Sequence, residues 1–176
     1  MLEGLGVELC NASLVGKEAR VGQLLKLGID VNYVMTKKGP AKGFFPLFVA
    51  CHQNRVEVVR LLLAVEGVSV NQARTIDGCF PLYIACQNNH VEVVRLLLAA
   101  QAQVNQVTHG GWSACHKAAG NGHVQVLEML LEARQEGGPL PGMLDGNGMA
   151  QNDHPLWPAD EEEEAERCTR THKRLL

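Results

Sequence analysis

The apolar positions of the chain recur in blocks at helical spacing. Residues 56–64, with the sequence VEVVRLLLA, recur unchanged at 91–99, and a degraded third copy occupies 124–131. Within the first block, Val58 and Leu62 lie four residues apart, which places their side chains on one face of an α-helix. A segment repeated in this way predicts a helical array in which each unit buries its apolar face against the next.

Each block is preceded by the pattern of a shorter helix. Pro46 and Pro81 open this helix, because proline has a helical φ and lacks an N–H that would have no partner in the first turn. Small residues follow at Ala50-Cys51 and Ala85-Cys86, which allows a neighbouring helix to approach closely. The two helices of each unit are separated by residues that tolerate a left-handed backbone, namely Asn54, Asn89 and Gly122.

The distances between equivalent residues set the length of the unit. Ala50 and Ala85 are 35 residues apart, and Ala85 and Ala118 are 33 residues apart. A weaker unit, recognisable from Ala12 and from the Val31-Asn32 pair, precedes them. The predicted array spans residues 1–138, and its units lie near 4–35, 36–73, 74–107 and 108–138.

Together these residues resemble the ankyrin repeat. The family's pattern contains Thr-Pro-Leu-His-x-Ala-Ala, then Val-Val-x-x-Leu-Leu and a closing Val-Asn, and it is similar to residues 43–71, 78–105 and 111–137. The resemblance implies an all-α fold, a solenoid of stacked helix–turn–helix units with β-hairpin-like finger loops. It also implies that partners bind on a concave surface, which the fingers form with the exposed sides of the first helices.

The segment that matches Thr-Pro-Leu-His departs from the family in every unit. It reads Phe-Pro-Leu-Phe at 45–48, Phe-Pro-Leu-Tyr at 80–83 and Ser-Ala-Cys-His at 113–116. In the family the threonine and the histidine brace this turn, so the aromatic residues replace a polar brace with apolar packing or with exposed contact area. His116 keeps the bracing role. Lys117, at a position that is apolar in the neighbouring units, indicates that the fourth unit faces water.

Charge and cysteine usage bear on the partner and on the compartment. Residues 1–140 carry 12 basic and 11 acidic residues, so the array lacks the concentrated positive charge that binds nucleic acids. The six cysteines have no paired spacing, which favours a reducing compartment. No apolar run has the length of a membrane span, and the amino terminus lacks a leader pattern. We expect a monomeric cytoplasmic protein without membrane insertion, with the nucleus as the alternative location.

Residues 139–176 break the repeat pattern. They open with a segment rich in glycine and proline and end in a charged stretch. Residues 154–159 repeat the Pro-Leu-aromatic-x-Ala order of residues 81–85, but Pro158 interrupts the pattern and no second helix follows. Two interpretations remain open, namely a solvated, partly helical or disordered tail and a tail that folds back as a degenerate cap on the fourth unit.

The sequence contains no pattern of an enzyme or of a cofactor site. It lacks a phosphate-binding glycine loop, a dinucleotide fingerprint, His-Glu-x-x-His and Cys-x-x-Cys. Cys115 and His116 are adjacent, but neighbours on a helix point about 100° apart, so the imidazole is poorly placed to activate the thiol. His90 and His123 match the family's histidine at the start of the second helix, where a role between repeats is expected. We predict a non-enzymatic protein with no cofactor and no metal.

Mapping the family's concave surface onto this chain assigns partner contacts to two groups of residues. The first helices contribute His52, Gln53, Tyr83, Gln87, Asn88 and Asn121. The fingers contribute Phe44, Ile76, Asp77, His109 and Trp112. An aromatic strip is expected from Phe44, Phe48, Tyr83 and Trp112. Such rings are typical of interaction hot spots. Packing within the turn is the alternative for Phe45, Phe48 and Phe80, and Tyr83 and Trp112 each carry a polar group that needs a partner or water.

We therefore expect a protein–protein interaction adaptor that binds a protein or peptide on its concave surface. Three lysines at Lys37, Lys38 and Lys42 form a second candidate surface, for an acidic group, against the simpler interpretation that they keep the loop in water. The alternative function is a targeting or regulatory fragment of a larger multidomain protein or enzyme.

Overall fold

The computed structural model describes residues 2–36 and 42–135 of the chain. Lys37, Lys38 and the predicted tail or cap at 139–176 lie outside the described residues. The helices of the described part are α1 (Leu2–Val15), α2 (Glu18–Lys26), α3 (Pro46–His52), α4 (Val56–Leu63), α5 (Pro81–Gln87), α6 (Val91–Ala99), α7 (Ala114–Gly120) and α8 (Val124–Gln135).

These helices form two stacked layers. The first helices of the units, α1, α3, α5 and α7, pack against one another in sequence order, and the second helices, α2, α4, α6 and α8, pack in a parallel row. Each first helix also packs against the second helix of its own unit. The predicted all-α solenoid of stacked helix–turn–helix units is thereby confirmed.

The local signals for helix ends act as the sequence predicts. Pro46 and Pro81 each occupy the first turn of their helix, after an extended phenylalanine at the N-cap. The backbone between the paired helices is left-handed, with φ of 53° at Asn54, 58° at Asn89 and 70° at Gly122. A left-handed residue at this place ends the first helix and turns the chain sharply into the second.

One continuous apolar core runs between the two layers. Val58 and Leu62 of α4 are wholly or almost wholly buried, as are their equivalents Val93 and Leu97 of α6. Cys51 also lies in the core, and burial raises the pKa of its thiol well above the ordinary range. The second helices are therefore scaffold, as predicted from their apolar repeats, and their stability depends on contacts with neighbouring units.

The first unit differs from the others at its beginning. Its first helix α1 has 14 residues, whereas α3, α5 and α7 have seven each. Tyr33, at the end of this unit, packs on α1 so closely that a Cβ on Gly6 would lie 2.5 Å from the tyrosine ring. A larger residue at position 6 would therefore force the Tyr33 ring to move.

Hydrogen-bonded loops project between successive units, as the fingers of the family do. We define the first finger as residues 35–44, of which 37–41 are not described, the second as 74–79 and the third as 108–112. A backbone bond closes each loop, at 2.8 Å from Met35 N to Phe44 O, 2.8 Å from Arg74 N to Cys79 O and 2.9 Å from Thr108 N to Trp112 O.

The asparagine that closes a unit connects it to the next one. The Asn32 side chain accepts a hydrogen bond from Ser69 N at 2.8 Å and donates one to Gly67 O at 2.8 Å. The Asn71 side chain accepts from Gln103 N at 2.8 Å. These bonds hold the loops at a fixed spacing, so the fingers project from a rigid base.

Candidate functional site

Side chains of the fingers meet side chains of the first helices on one surface. The Arg74 guanidinium carbon, on the second finger, lies 5.2 Å from the ring centroid of Phe48 on α3. The ammonium nitrogen of Lys117, on α7, lies 5.1 Å from the ring centroid of Trp112 on the third finger. We call the surface that the three fingers form together with the first helices α3, α5 and α7 the concave surface.

The second finger carries a cluster that we call the arginine cluster, formed by Phe44, Arg74 and Asp77. The Arg74 guanidinium carbon lies 4.7 Å from the Phe44 ring centroid, and its Nη1 atom lies 2.9 Å from Asp77 Oδ2. The other carboxylate oxygen of Asp77 accepts a hydrogen bond from Cys79 N at 3.0 Å. The cation is thus held between an aromatic ring and a carboxylate, and the half-buried ring of Phe44 is fixed in place.

Two further residues that we predict as partner contacts, Ile76 and His109, lie on the fingers next to this cluster. Ile76 is exposed near the tip of the second finger, where an apolar side chain is available for contact. His109, on the third finger, is also exposed, and its backbone N–H donates to Asp77 O at 3.0 Å. The bond between these backbones keeps the second and third fingers adjacent.

The third finger and α7 form a second group, the tryptophan cluster, consisting of Trp112, His116 and Lys117. The ring of Trp112 is half-buried and meets the His116 ring edge-on, with centroids 5.9 Å apart. Lys117, predicted to face water, is half-buried here beside the indole. A tryptophan held between an imidazole and a cation presents a rigid apolar face with polar edges.

The imidazole of His116 has a structural task in this cluster. Ser113 N donates to His116 Nδ1 at 3.1 Å, and Ser113 Oγ accepts from His116 N at 3.3 Å, which makes a reciprocal cap for α7. The predicted bracing role of His116 is confirmed. Burial lowers the pKa of this histidine, and the bond from Ser113 occupies the ring nitrogen that faces the turn.

The end of α3 presents an exposed pair of polar side chains. Gln53 Nε2 donates to His52 Nδ1 at 2.8 Å, and the His52 ring stacks on Phe48 with centroids 6.4 Å apart. Burial, and then the neighbouring charges of His90 and Arg74, lower the pKa of His52. At neutral pH this pair is therefore an uncharged hydrogen-bonding group, and its predicted role as a partner contact stays a prediction.

Two of the predicted contact residues connect neighbouring units with their side chains. Asn88 Nδ2 donates to His52 O at 3.3 Å, and Asn121 Nδ2 donates to Gln87 O at 3.0 Å. The same carbonyls accept from His90 at 3.1 Å and from His123 at 3.1 Å. The predicted role of these histidines between repeats is confirmed, whereas the two asparagine amides are already engaged by the scaffold.

The expected aromatic strip is wrong at two of its four positions. Phe48 is 2% exposed and Tyr83 is 6% exposed, because each ring turns back on the phenylalanine that precedes its helix. The ring centroids are 5.7 Å apart for Phe45 and Phe48 and 5.7 Å apart for Phe80 and Tyr83. Only Phe44 and Trp112 remain partly accessible. The alternative of packing within the turn applies to Phe48, and the Tyr83 ring is buried in the same way.

The sequence-based prediction missed Arg74 and Lys117 as members of the concave surface. Arg74 lies three residues before Asp77, a spacing that suits an ion pair within a turn, and this signal was available in the sequence. The contact of Lys117 with Trp112 has no comparable pattern, because it depends on how α7 meets the third finger.

The described part of the chain contains neither a metal-binding group of side chains nor a membrane-spanning helix. Among residues 2–36 and 42–135, histidine, cysteine, aspartate and glutamate side chains form no group of three that could hold a metal ion. Over the same residues, no helix combines the length and the apolar character needed to cross a membrane.

Comparison with known families agrees with this architecture. A family model described as "Ankyrin repeats (3 copies)" matches residues 9–108 and residues 66–140. These matches together cover most of the chain, and the chain belongs to the ankyrin-repeat family. A search of curated proteins finds no match to the sequence.

Proposed function

We propose that this protein is a non-enzymatic adaptor that binds a protein or peptide on its concave surface. Ankyrin repeats generally mediate protein–protein interactions and are typically non-catalytic. The observation that carries the proposal is the pair of clusters on the fingers, in which Phe44 and Trp112 are half-buried rings held by cations. Fixed rings of this kind bury a large area at little cost in side-chain entropy.

Variation between units supports the same surface. The core position that is Val58 in the second unit is also valine at Val93 and Val126. By contrast, the finger position is Phe44, then Cys79, then Trp112, and the last residue of the first helix is His52, then Gln87, then Gly120. Positions that hold the scaffold are thus repeated, whereas positions on the concave surface differ, as specific recognition requires.

In this proposal the contact residues have different tasks. Phe44, Ile76 and Trp112 provide apolar contact, while His52, Gln53 and Gln87 provide hydrogen-bonding groups. Asp77 and His109 fix the finger backbones and offer polar edges. We assign Asn88, Asn121 and Tyr83 to the scaffold, because the amides bridge units and the tyrosine ring is buried.

We propose that the adaptor acts as a monomer in the cytoplasm or the nucleus. All five cysteines of the described residues are free thiols, and Cys51 and Cys86 are buried as small core residues. A reducing compartment suits such a protein. The near balance of charge within the array supports a protein partner rather than a nucleic acid.

The proposal is tested by affinity capture from cell lysate with matched variants. The concave variant combines Gln53→Ala with Trp112→Ala, and the control combines Gln125→Ala with Leu27→Ala, which remove one exposed amide and one exposed apolar side chain elsewhere. Circular dichroism first establishes that both variants fold. We expect a partner that the native protein and the control retain and that the concave variant loses. Equal retention by both variants would place the site elsewhere.

A further inference from the structure

The fourth unit has an open face on the side that a following repeat would cover. Ala119 on α7 is exposed, whereas its equivalents Cys51 and Cys86 are completely buried. The difference follows from position in the array, because the second and third units are each followed by another unit and the fourth is followed by none within the described residues. We call this side of α7 and α8 the trailing face.

Apolar side chains on α8 extend the trailing face. Leu127 is half-buried, whereas Val59 and Val94 at the equivalent position are completely buried. Leu131 is 44% exposed, more than its equivalents Leu63 and Leu98. The trailing face therefore leaves apolar surface open, and burial of such surface is favourable.

The chain continues beyond α8 with a stretch long enough to cover this face. Residues 136–176 follow α8, and this stretch is longer than the 33-residue unit between Ala85 and Ala118. We propose that residues 154–159 dock on the trailing face and close the array. The occupant is thus the chain's own carboxyl-terminal segment rather than a second protein. This inference stands apart from the proposed binding on the concave surface.

The order of residues in this segment matches the part of a unit that is buried. Relative to the third unit, Pro155 corresponds to Pro81, which opens α5. Leu156 corresponds to Leu82 and Ala159 to Ala85, and both of these α5 residues are buried in the core. The segment therefore has apolar side chains in the same order as the buried residues of α5.

Trp157 corresponds in the same way to Tyr83, a ring that is buried against its own unit. With Trp112, it is one of the two tryptophans of the chain. The indole is the largest side chain of the segment, so it has the largest apolar area to bury in the proposed docking.

Pro158 distinguishes this segment from a full unit. It corresponds to Ile84, whose N–H donates to Phe80 O at 3.2 Å as the first bond of its helix. Proline at that place removes this bond and disfavours a helical backbone at Trp157, so the segment keeps the order of the buried side chains without the helix of a full unit. The acidic residues 160–164 follow directly, and they suit water rather than a second apolar helix. From Gln135 to His154 the chain can extend about 60 Å, so reach does not limit docking.

The test uses the fluorescence of Trp157 in the full-length chain. Trp112→Phe leaves Trp157 as the single tryptophan, and Ala119→Arg is then added to place a long charged side chain on the trailing face. Ala99→Arg, at an exposed alanine on α6, is the matched control. We expect a blue-shifted emission, protected from quenching by acrylamide, which shifts to the red and loses protection with Ala119→Arg but not with Ala99→Arg.

Three results would overturn the proposal. Emission typical of an indole in water in the Trp112→Phe chain would show that the segment does not dock. A blue-shifted emission that Ala119→Arg leaves unchanged would place Trp157 on another surface. A shift that disappears on dilution would assign the trailing face to a second copy of the chain instead. Circular dichroism of each variant establishes that the array is folded in every comparison.

Discussion

The side-chain Nε of Arg55 donates a hydrogen bond to the carbonyl oxygen of Leu14 at 3.1 Å, and this bond connects the second unit to the first. Arg55 stands where the next two units have His90 and His123, which donate to the corresponding carbonyls of the units before them. An arginine therefore takes the role of the family's histidine at this junction, although the two side chains differ in length and charge.

Replacing Arg55 with alanine should weaken the junction between the first two units. The bond is exposed to water, so we expect the free energy of unfolding to fall by about 0.5–1 kcal/mol. Urea denaturation followed by circular dichroism measures the change. Arg55→His should restore part of the loss, because histidine makes this bond in the next two units. Equal losses for both substitutions would show that the arginine stem, rather than its bond, stabilises the junction.

Gly78→Ala should lower the stability of the protein by more than the cost of placing an alanine in the left-handed conformation. The φ of Gly78 is 73°, and a Cβ there would lie 2.6 Å from the backbone nitrogen of His109. The left-handed conformation costs an alanine about 1–2 kcal/mol, and the clash adds to that cost. Gly67→Ala is the control, since φ there is 81° with no atom within 4 Å of the added carbon. A similar melting temperature for the two variants would contradict the predicted clash.

Leu62→Ala should remove a large part of the stability of the array. Leu62 is completely buried where α4 meets its neighbours, and truncation of such a leucine costs about 2–5 kcal/mol. Leu27→Ala removes the same atoms from a side chain that is 67% exposed, so it should change stability little. Chemical denaturation of both variants measures the difference. A loss below about 1 kcal/mol at Leu62 would show that the units are less tightly coupled than described.

The scaffold was predictable from sequence because its signals are local and repeated. Pro46 and Asn54 mark the ends of α3 by backbone preference alone, and the spacing of Val58 and Leu62 sets the buried face of α4. Such features depend on a few neighbouring residues. Repetition then shows the same signals again in the next unit, which separates them from chance.

The concave surface was less predictable because it depends on contacts between units. Asn88 aligns with a solvent-facing position of the family, yet its amide reaches the His52 carbonyl across the junction. The mapping of the family's concave surface places Tyr83 among the partner contacts, whereas its ring packs on Phe80. In each case a side-chain rotamer decides the role, and neither apolar pattern nor register determines a rotamer.

Acidification should destabilise the protein through His52 and His116. Burial is the main cause that lowers the pKa of each below the ordinary value of 6.5. As the pH falls through 6.5, the unfolded chain takes up protons before the folded protein does, so the free energy of unfolding decreases. The contribution of the two neutral histidines to the free energy of unfolding is fully present above pH 6.5 and is lost as the pH falls through their pKa values in the folded protein.

The check for His52 compares the native protein with His52→Gln in urea at about pH 7.5 and about pH 5.5. Glutamine keeps a polar side chain that does not titrate in this range. We expect the native protein to lose more stability than the variant between the two conditions. An equal loss would show that His52 titrates as it does in the unfolded chain.

The most direct test of the central claim places a photo-reactive phenylalanine derivative at position 112 of the full-length protein. Trp112 lies on the concave surface beside Lys117, whereas Leu27 is exposed at the end of α2 and provides the control position. We predict that illumination in lysate cross-links a discrete partner protein from position 112 and none from position 27. Cross-links from position 27 alone, or equal ones from both, would contradict recognition by the concave surface.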